Sequence, residues 1–357
     1  MRRFFLILVL GVACSSTCFG QADDANGHSL ANNADTLNTD NTNEDKIDEV
    51  LIIGEQPGPG LWKIYKGDHL LWILGTFYPL PDKLQWRSQQ AEEAIAQSQE
   101  VFLQPGANAK VGFFSQITLL PALIGIKKSP DGLSLEEKIP ADVYSRWLVL
   151  KEKYMGKNRA VEKYRPIFAG HELLEQAQKK AGFANEDIVT KRVKELAKKH
   201  NIKTTVPIYE FSVDKPRQTL KHFKQSEMDD ISCFTKMVDH LSSDLDTMRL
   251  RANAWATGDL ATLGSLPITD HGRICFDAIM KSSFAEEAGI KDLPAKVEAE
   301  WFAKIDEALT NNTVSFAVIP ATEMLKKESV MAKLQAKGYR IEGFGFDTSA
   351  FDTTNEE

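Results

Sequence analysis

The stretch Gly60-Leu-Trp-Lys-Ile-Tyr-Lys-Gly-Asp-His-Leu-Leu-Trp-Ile-Leu-Gly-Thr-Phe-Tyr-Pro-Leu-Pro81 decides the fold class. Two β-rich runs, Leu61 to Tyr65 and His69 to Leu74, flank the turn residues Lys66-Gly67-Asp68, which predicts a hairpin. Working outward, a helix is expected from Arg87 to Ser98 and a short strand from Val101 to Leu103. At the far end a strand, Val314 to Ile319, precedes a helix, Thr322 to Ala336, a helix stop at Gly338 and a last strand, Tyr339 to Gly343, a β-α-β unit. Between these ends, Ala141 to Tyr154, Ile167 to Lys180, Ile188 to His200, Asp229 to Thr257 and Ala295 to Thr310 carry apolar residues at three- and four-residue steps, interrupted by a strand-like run, Thr204 to Ile208. Ile231, Phe234, Met237, Val238, Leu241, Leu245, Met248 and Ala252 predict one long helix, or a closely joined pair, over 229–257. The expected class is α/β: a mixed β-sheet with an N-terminal hairpin and a C-terminal β-α-β unit, covered by a large helical insertion.

Composition bounds the rest. The 357 residues are 43% hydrophobic and 26% charged, ordinary proportions that exclude collagen-like, fully disordered and multi-span membrane classes. A net charge of -7, from 50 acidic against 43 basic residues, argues against a nucleic-acid partner held by phosphate neutralisation. Arg2 and Arg3, the apolar run Phe4 to Ala13 and the small residues Ser15 to Gly20 have the layout of a cleaved signal peptide, residues 1–20. Export, to the periplasm, is therefore expected, with no transmembrane helix left after cleavage. A lipid anchor on Cys14 is disfavoured, because Gly11 stands three places earlier where a Leu-like residue is wanted. Residues 21–47 are acidic and Asn-rich with almost no large apolar side chains, and read as a disordered linker to a single domain over 48–357. With Cys14 and Cys18 in or beside the leader, Cys233 and Cys275 are the cysteines that meet an oxidising compartment, and a disulfide between them is expected; the alternative is two buried thiols.

Local motifs are sparse. His171-Glu-Leu-Leu-Glu175 has the first half of a zinc helix, H-E-x-x-H, but Glu175 replaces the second histidine, and an amphipathic helix explains the segment. The turn series Pro57-Gly-Pro-Gly60 lacks phosphate-loop spacing and its Lys-Ser/Thr, no Gly-x-Ser-x-Gly elbow occurs, and the seven histidines form no local cluster.

The Leu61-Trp-Lys strand, the apolar strand ending Gly75-Thr76 and the following Trp86-Arg87 closely resemble the opening of the TraB/GumN family, which is related to the TIKI metalloproteases and the erythromycin-esterase-like fold. The likeness continues at Trp255-Ala-Thr-Gly258-Asp259, Ile208-Tyr-Glu210, Trp301 and the closing strand-helix-Gly338-Tyr339 unit. It implies a divalent-metal hydrolase in which two Gly-x-x-His motifs and a strand-end glutamate hold the ion and activate a water. This chain departs at each place. Gly75-Thr76-Phe77-Tyr78 ends in a phenol, Gln104 stands for the glutamate, Pro320-Ala-Thr-Glu323 replaces the second motif, and Val297 and Glu298 stand for an Arg-Asn pair ahead of Trp301.

By the resemblance, Gly75, Thr76 and Pro320 frame the cleft and Tyr78, Gln104 and Glu323 are its altered positions, with Glu210 a further candidate; no cofactor or metal is expected. The first reading is an exported protein that has lost the metal-hydrolase site and serves as a pseudoenzyme or a binding or accessory factor in the cell envelope, its partner a protein or peptide. A second keeps a hydrolase, metal-dependent or with Glu323 or Glu210 as general base and Tyr78 as acid or oxyanion donor. A third is a partner-binding factor whose Asp48-Glu-Val-Leu-Ile-Ile-Gly54 segment docks by strand addition; an edge strand of the protein's own sheet is the plainer account of that segment.

Overall fold

The alternation in the quoted stretch becomes a hairpin in the computed structural model, which describes residues 58–111, 119, 121–226, 228–266, 271–324 and 328–343. Strand β1 (Leu61–Lys66) pairs antiparallel with β2 (His69–Thr76), from Leu61 opposite Leu74 to Lys66 opposite His69, so the connection is only Gly67-Asp68. The period of two sorts the side chains: Trp62, Ile64, Leu71 and Ile73 join one buried cluster, while Leu61 and Leu74 join another on the opposite face.

Six further strands follow among the described residues: β3 (Glu100–Phe102), β4 (Gly106–Lys110), β5 (Lys203–Thr205), β6 (Ile208–Ser212), β7 (Val314–Pro320) and β8 (Arg340–Glu342). The main sheet has the order β5-β3-β7-β2-β1-β8. β7 is parallel to β2 and β3, β5 is parallel to β3, and both neighbours of β1 are antiparallel to it. Only β1 is therefore reversed, and the carboxyl ends of the other five strands share one edge. β7 is a nearly continuous apolar run because it is covered twice: Phe316 and Val318 face one side, Ala317 and Ile319 the other.

The helices are α1 (Gln89–Ala96), α2 (Leu135–Lys138), α3 (Ala141–Met155), α4 (Pro166–Lys180), α5 (Ile188–Lys199), α6 (Pro216–Gln225), α7 (Asp230–Thr257), α8 (Leu260–Ser265), α9 (His271–Met280), α10 (Ser283–Glu287), α11 (Leu293–Asn311), α12 (Ala321–Met324) and α13 (Val330–Ala336). α1, α5 and the end of α7 cover one sheet face through Ile95, Val193, Leu196 and Trp255. α11 and α13 cover the other through Trp301, Ile305, Leu309 and Leu334. The insertion between β3 and β7 supplies the helical layer, in which Trp147 of α3, Leu173 of α4, and Phe234 and Leu241 of α7 form a separate core.

α7 is one unbroken helix of 28 residues, about 42 Å at 1.5 Å per residue. The Asp229 side chain accepts from the Ser232 N–H at its start, and Gly258 ends it at φ +70°, a left-handed conformation that a Cβ would disfavour. Cys233 on α7 and Cys275 on α9 form the expected disulfide, with Cα atoms 5.1 Å apart. No helix of the described residues is long and apolar enough to cross a membrane.

The structure corrects two expected elements. The run from Thr204 to Ile208 is not one strand but the end of β5 and the start of β6, because Pro207 has no N–H to continue a ladder. Its carbonyl instead accepts from Gly106 N at 2.9 Å, and the chain resumes as a ribbon of β4 parallel to β6, of which β4 had no sequence signal. The helix expected from Thr322 to Ala336 is two, α12 and α13, since Ser329 caps a new start by accepting from the Ala332 N–H. The leader, the linker, Cys14, Cys18, the Asp48 to Gly54 segment and the tail after Phe351 lie outside the described residues.

Candidate functional site

β2 and β7 end side by side, with Gly75 opposite Ile319 and Thr76 opposite Pro320, and β3 ends on the far side of β7. Tyr78, Gln104 and Glu323 therefore leave three neighbouring strands at one edge. Parallel sheets characteristically place their ligand crevices there, because the connections diverge from the carboxyl ends. Gly75 is required by close approach: a Cβ there would meet Met324 Sδ at 2.8 Å and Ala321 Cβ at 3.2 Å. Its carbonyl accepts a 2.7 Å hydrogen bond from the buried Trp255 indole, which ties the last turn of α7 to the strand end. Trp86 lies against Trp255, ring centroids 5.4 Å apart, and the Arg251 guanidinium stands 5.7 Å over the Phe77 ring.

Two of the positions singled out from the sequence, Tyr78 and Gln104, are held by hydrogen bonds. The Gln104 amide nitrogen donates to Thr76 Oγ1 at 2.8 Å and to Asp187 Oδ2 at 3.1 Å. Asp187 is the N-cap of α5: its Oδ1 accepts from the Val189 and Thr190 N–H groups at 3.1 and 2.9 Å, and its Oδ2 from Thr190 Oγ1 at 2.6 Å. A carboxylate only accepts, so Asp187 fixes which way the Gln104 amide points. The buried Thr76 hydroxyl donates onward to the Ile319 carbonyl at 3.4 Å, joining β2 to β7. The Tyr78 hydroxyl donates to the Asn185 carbonyl at 3.1 Å, so Tyr78 and Gln104 both anchor on the turn before α5. The Tyr78–Pro79 peptide is cis. Glu323 is half-buried on α12, three residues beyond Pro320.

Glu210 is not part of this arrangement. It lies on the β4–β6 ribbon opposite Asn108, four residues beyond Gln104 or about 13 Å along an extended chain, and pairs with Lys110 at 2.6 Å. His171 is on the exposed side of α4, and Glu172 next to it pairs with Lys127 at 3.3 Å. A polar recess bordered by Glu100, Lys203, Lys304 and Asn311 sits toward the opposite, amino ends of β3 and β5.

The donor set does not suit the divalent ion that the resemblance implies. A hydrolytic ion wants imidazoles and carboxylates with lone pairs converging on one point. Here the Gln104 amide and the Tyr78 hydroxyl present hydrogens to protein acceptors. The Asp187 carboxylate is committed to capping α5. Among the described residues no three His, Cys, Asp or Glu side chains gather where they could hold an ion. Asp187 and Asn185 were the members not singled out from sequence, and Trp255 was singled out only as part of the family likeness, without its contact to Gly75. An acidic residue immediately before the apolar periodicity that starts at Ile188 was a legible cap signal, whereas nothing local linked Trp255 to a strand 180 residues earlier.

The profile of the TraB/PrgY/gumN family matches residues 60–343. No curated protein and no solved structure matches the chain.

Proposed function

We propose that this chain, which belongs to the TraB/PrgY/gumN family, is an exported member whose strand-end cleft has lost the family's hydrolytic metal and serves to bind a protein or peptide of the cell envelope. One observation carries the reading: the Gln104 amide, at the place of a ligating glutamate, donates to Thr76 and to Asp187. Changing Gln104 back to glutamate would set a second carboxylate about 3 Å from Asp187, a like-charge contact that disfavours ionisation of both. The altered site is thus compensated by its surroundings. A base at Glu210 is not supported, because that carboxylate is paired with Lys110 out on the ribbon.

Export is supported by the basic and apolar leader and by the Cys233–Cys275 pair, since disulfides persist in oxidising compartments. Metal analysis of the purified protein tests the reading. Substoichiometric zinc, manganese and cobalt after dialysis are expected, with a melting temperature that chelators leave unchanged, because an ion bound only by the native state would raise it. Stoichiometric metal that is lost together with peptide hydrolysis in Glu323→Ala would overturn the reading and make the protein a hydrolase.

A further inference from the structure

The turn 124–127, which follows helical residues at 121–123, carries Ile124 with 76% of its surface exposed, the most exposed large apolar side chain of the described residues. Cations from three parts of the chain lie on the segments next to it. On one side the backbone of Lys128 bridges to Tyr164, and Ser129 N donates to the Lys163 carbonyl at 3.1 Å, so the chain around Lys163 runs alongside the segment that carries Lys128. On the other, Lys224 Nζ donates to the Ile124 carbonyl itself at 2.8 Å, and Lys221 lies one turn back on the same face of α6. From Lys215 to Gln225 the chain has four Lys or Arg and no Asp or Glu, in a protein of net charge -7.

Three carboxylates of the described residues that come near this region are already engaged. Glu172 pairs with Lys127, Glu287 with His222 and Asp230 with the buried Arg165. Lys128, Lys163 and Lys221 form no ion pair among the described residues, and all three are exposed. We propose that this face, with Ile124 at its tip and Lys128, Lys163, Lys221 and Lys224 around it, docks on the surface of an anionic lipid bilayer. A single protruding aliphatic side chain with exposed lysines on the neighbouring segments offers no groove to read a protein side chain. It does supply the two elements of interfacial binding, apolar insertion at headgroup depth and attraction to a negative surface. The surface is separate from the strand-end cleft, and the proposal does not depend on what that cleft does.

Sedimentation of the full-length protein with vesicles tests it, comparing phosphatidylcholine alone with equal parts of phosphatidylcholine and phosphatidylglycerol. Binding is expected to favour the anionic vesicles and to weaken as salt is added, because the attraction is screened. The variant Lys128→Glu/Lys163→Glu/Lys221→Glu should lower the partition coefficient at least about tenfold, and Ile124→Ser should lower it as well. Lys179→Glu/Lys180→Glu, at the far end of α4, should leave it unchanged. The leader is common to all forms, so differences between variants report on this face alone. The single variants Lys128→Glu, Lys221→Glu and Ile124→Ser give a reading even if the triple variant folds poorly. Equal binding of both vesicle types, insensitivity to salt, or undiminished binding by a folded triple variant would each overturn the proposal. Retention on polyglutamate without vesicle binding would also overturn it, in favour of an acidic protein partner.

Discussion

The sheet body and the helical layer are held together in different ways. In the sheet, β7 and β2 are aligned over seven residue pairs, and each strand sends alternate side chains into two apolar clusters. The helical layer has no ladder to set its registers. It relies on apolar stripes, supplemented by point contacts that cross it: the buried ion pair of Arg165 with Asp230 at 2.9 Å, and the disulfide from Cys233 to Cys275. A sheet spreads its specificity over many pairings, whereas packed helices can slide unless a few directional or covalent contacts fix them. Loss of one contact should therefore matter locally in the layer and little in the sheet.

The largest expected effect is at Arg165, whose guanidinium also donates to the Phe223 carbonyl at 3.2 Å and so joins α4, α6 and α7. Arg165→Met leaves Asp230 buried without its cation and should cost about 3–5 kcal/mol. Amide exchange should quicken in α4, α6 and the first turns of α7 while β2 and β7 keep their protection. Uniform loss across both regions in a denaturant titration followed by exchange would break the comparison.

Replacing both cysteines with alanine should cost about 2–4 kcal/mol, since the bridge closes a loop with a sequence separation of 42. Urea midpoints of the oxidised, reduced and double-alanine forms measure it, and the reduced form should behave like the double variant. At the joint where α7 meets the end of β2, Trp255→Phe keeps most of the ring but leaves the buried Gly75 carbonyl without its donor. A loss of about 1–3 kcal/mol is expected, with faster exchange in both the end of α7 and the end of β2.

The smallest effect is at the surface of the helical layer. The hydrogen-bonded Lys138 ammonium holds the Asp131 carboxyl down from 3.8 to about 2. A depressed carboxyl contributes stability that is present above its ordinary value and lost as the pH falls toward the folded one. The melting temperature of the unaltered protein should exceed that of Asp131→Asn at neutral pH, and the gap should close between pH 3.8 and about 2. A gap that persists at the acid end would assign the difference to something other than this carboxylate.

What the sequence determined by itself was whatever local pattern can encode. The hairpin from Leu61, the apolar run of β7, the long helix ending at Gly258 and the closing strands were readable because periods of two and about four residues follow from backbone geometry. The family was readable in the motifs around Gly75-Thr76 and Gly338-Tyr339. The disulfide followed from counting cysteines against the leader. Only the tertiary structure decided that Gln104 meets Asp187, that Tyr78 meets the Asn185 carbonyl, that Trp255 reaches Gly75, and that Glu210 stands apart on a ribbon created by Pro207. The hydrogen bonds among these join residues 83 to 180 positions apart, and such distances leave no trace in a local pattern. They are set by which strands lie adjacent in the sheet and by where each helix starts, and neither is specified until the whole core has closed.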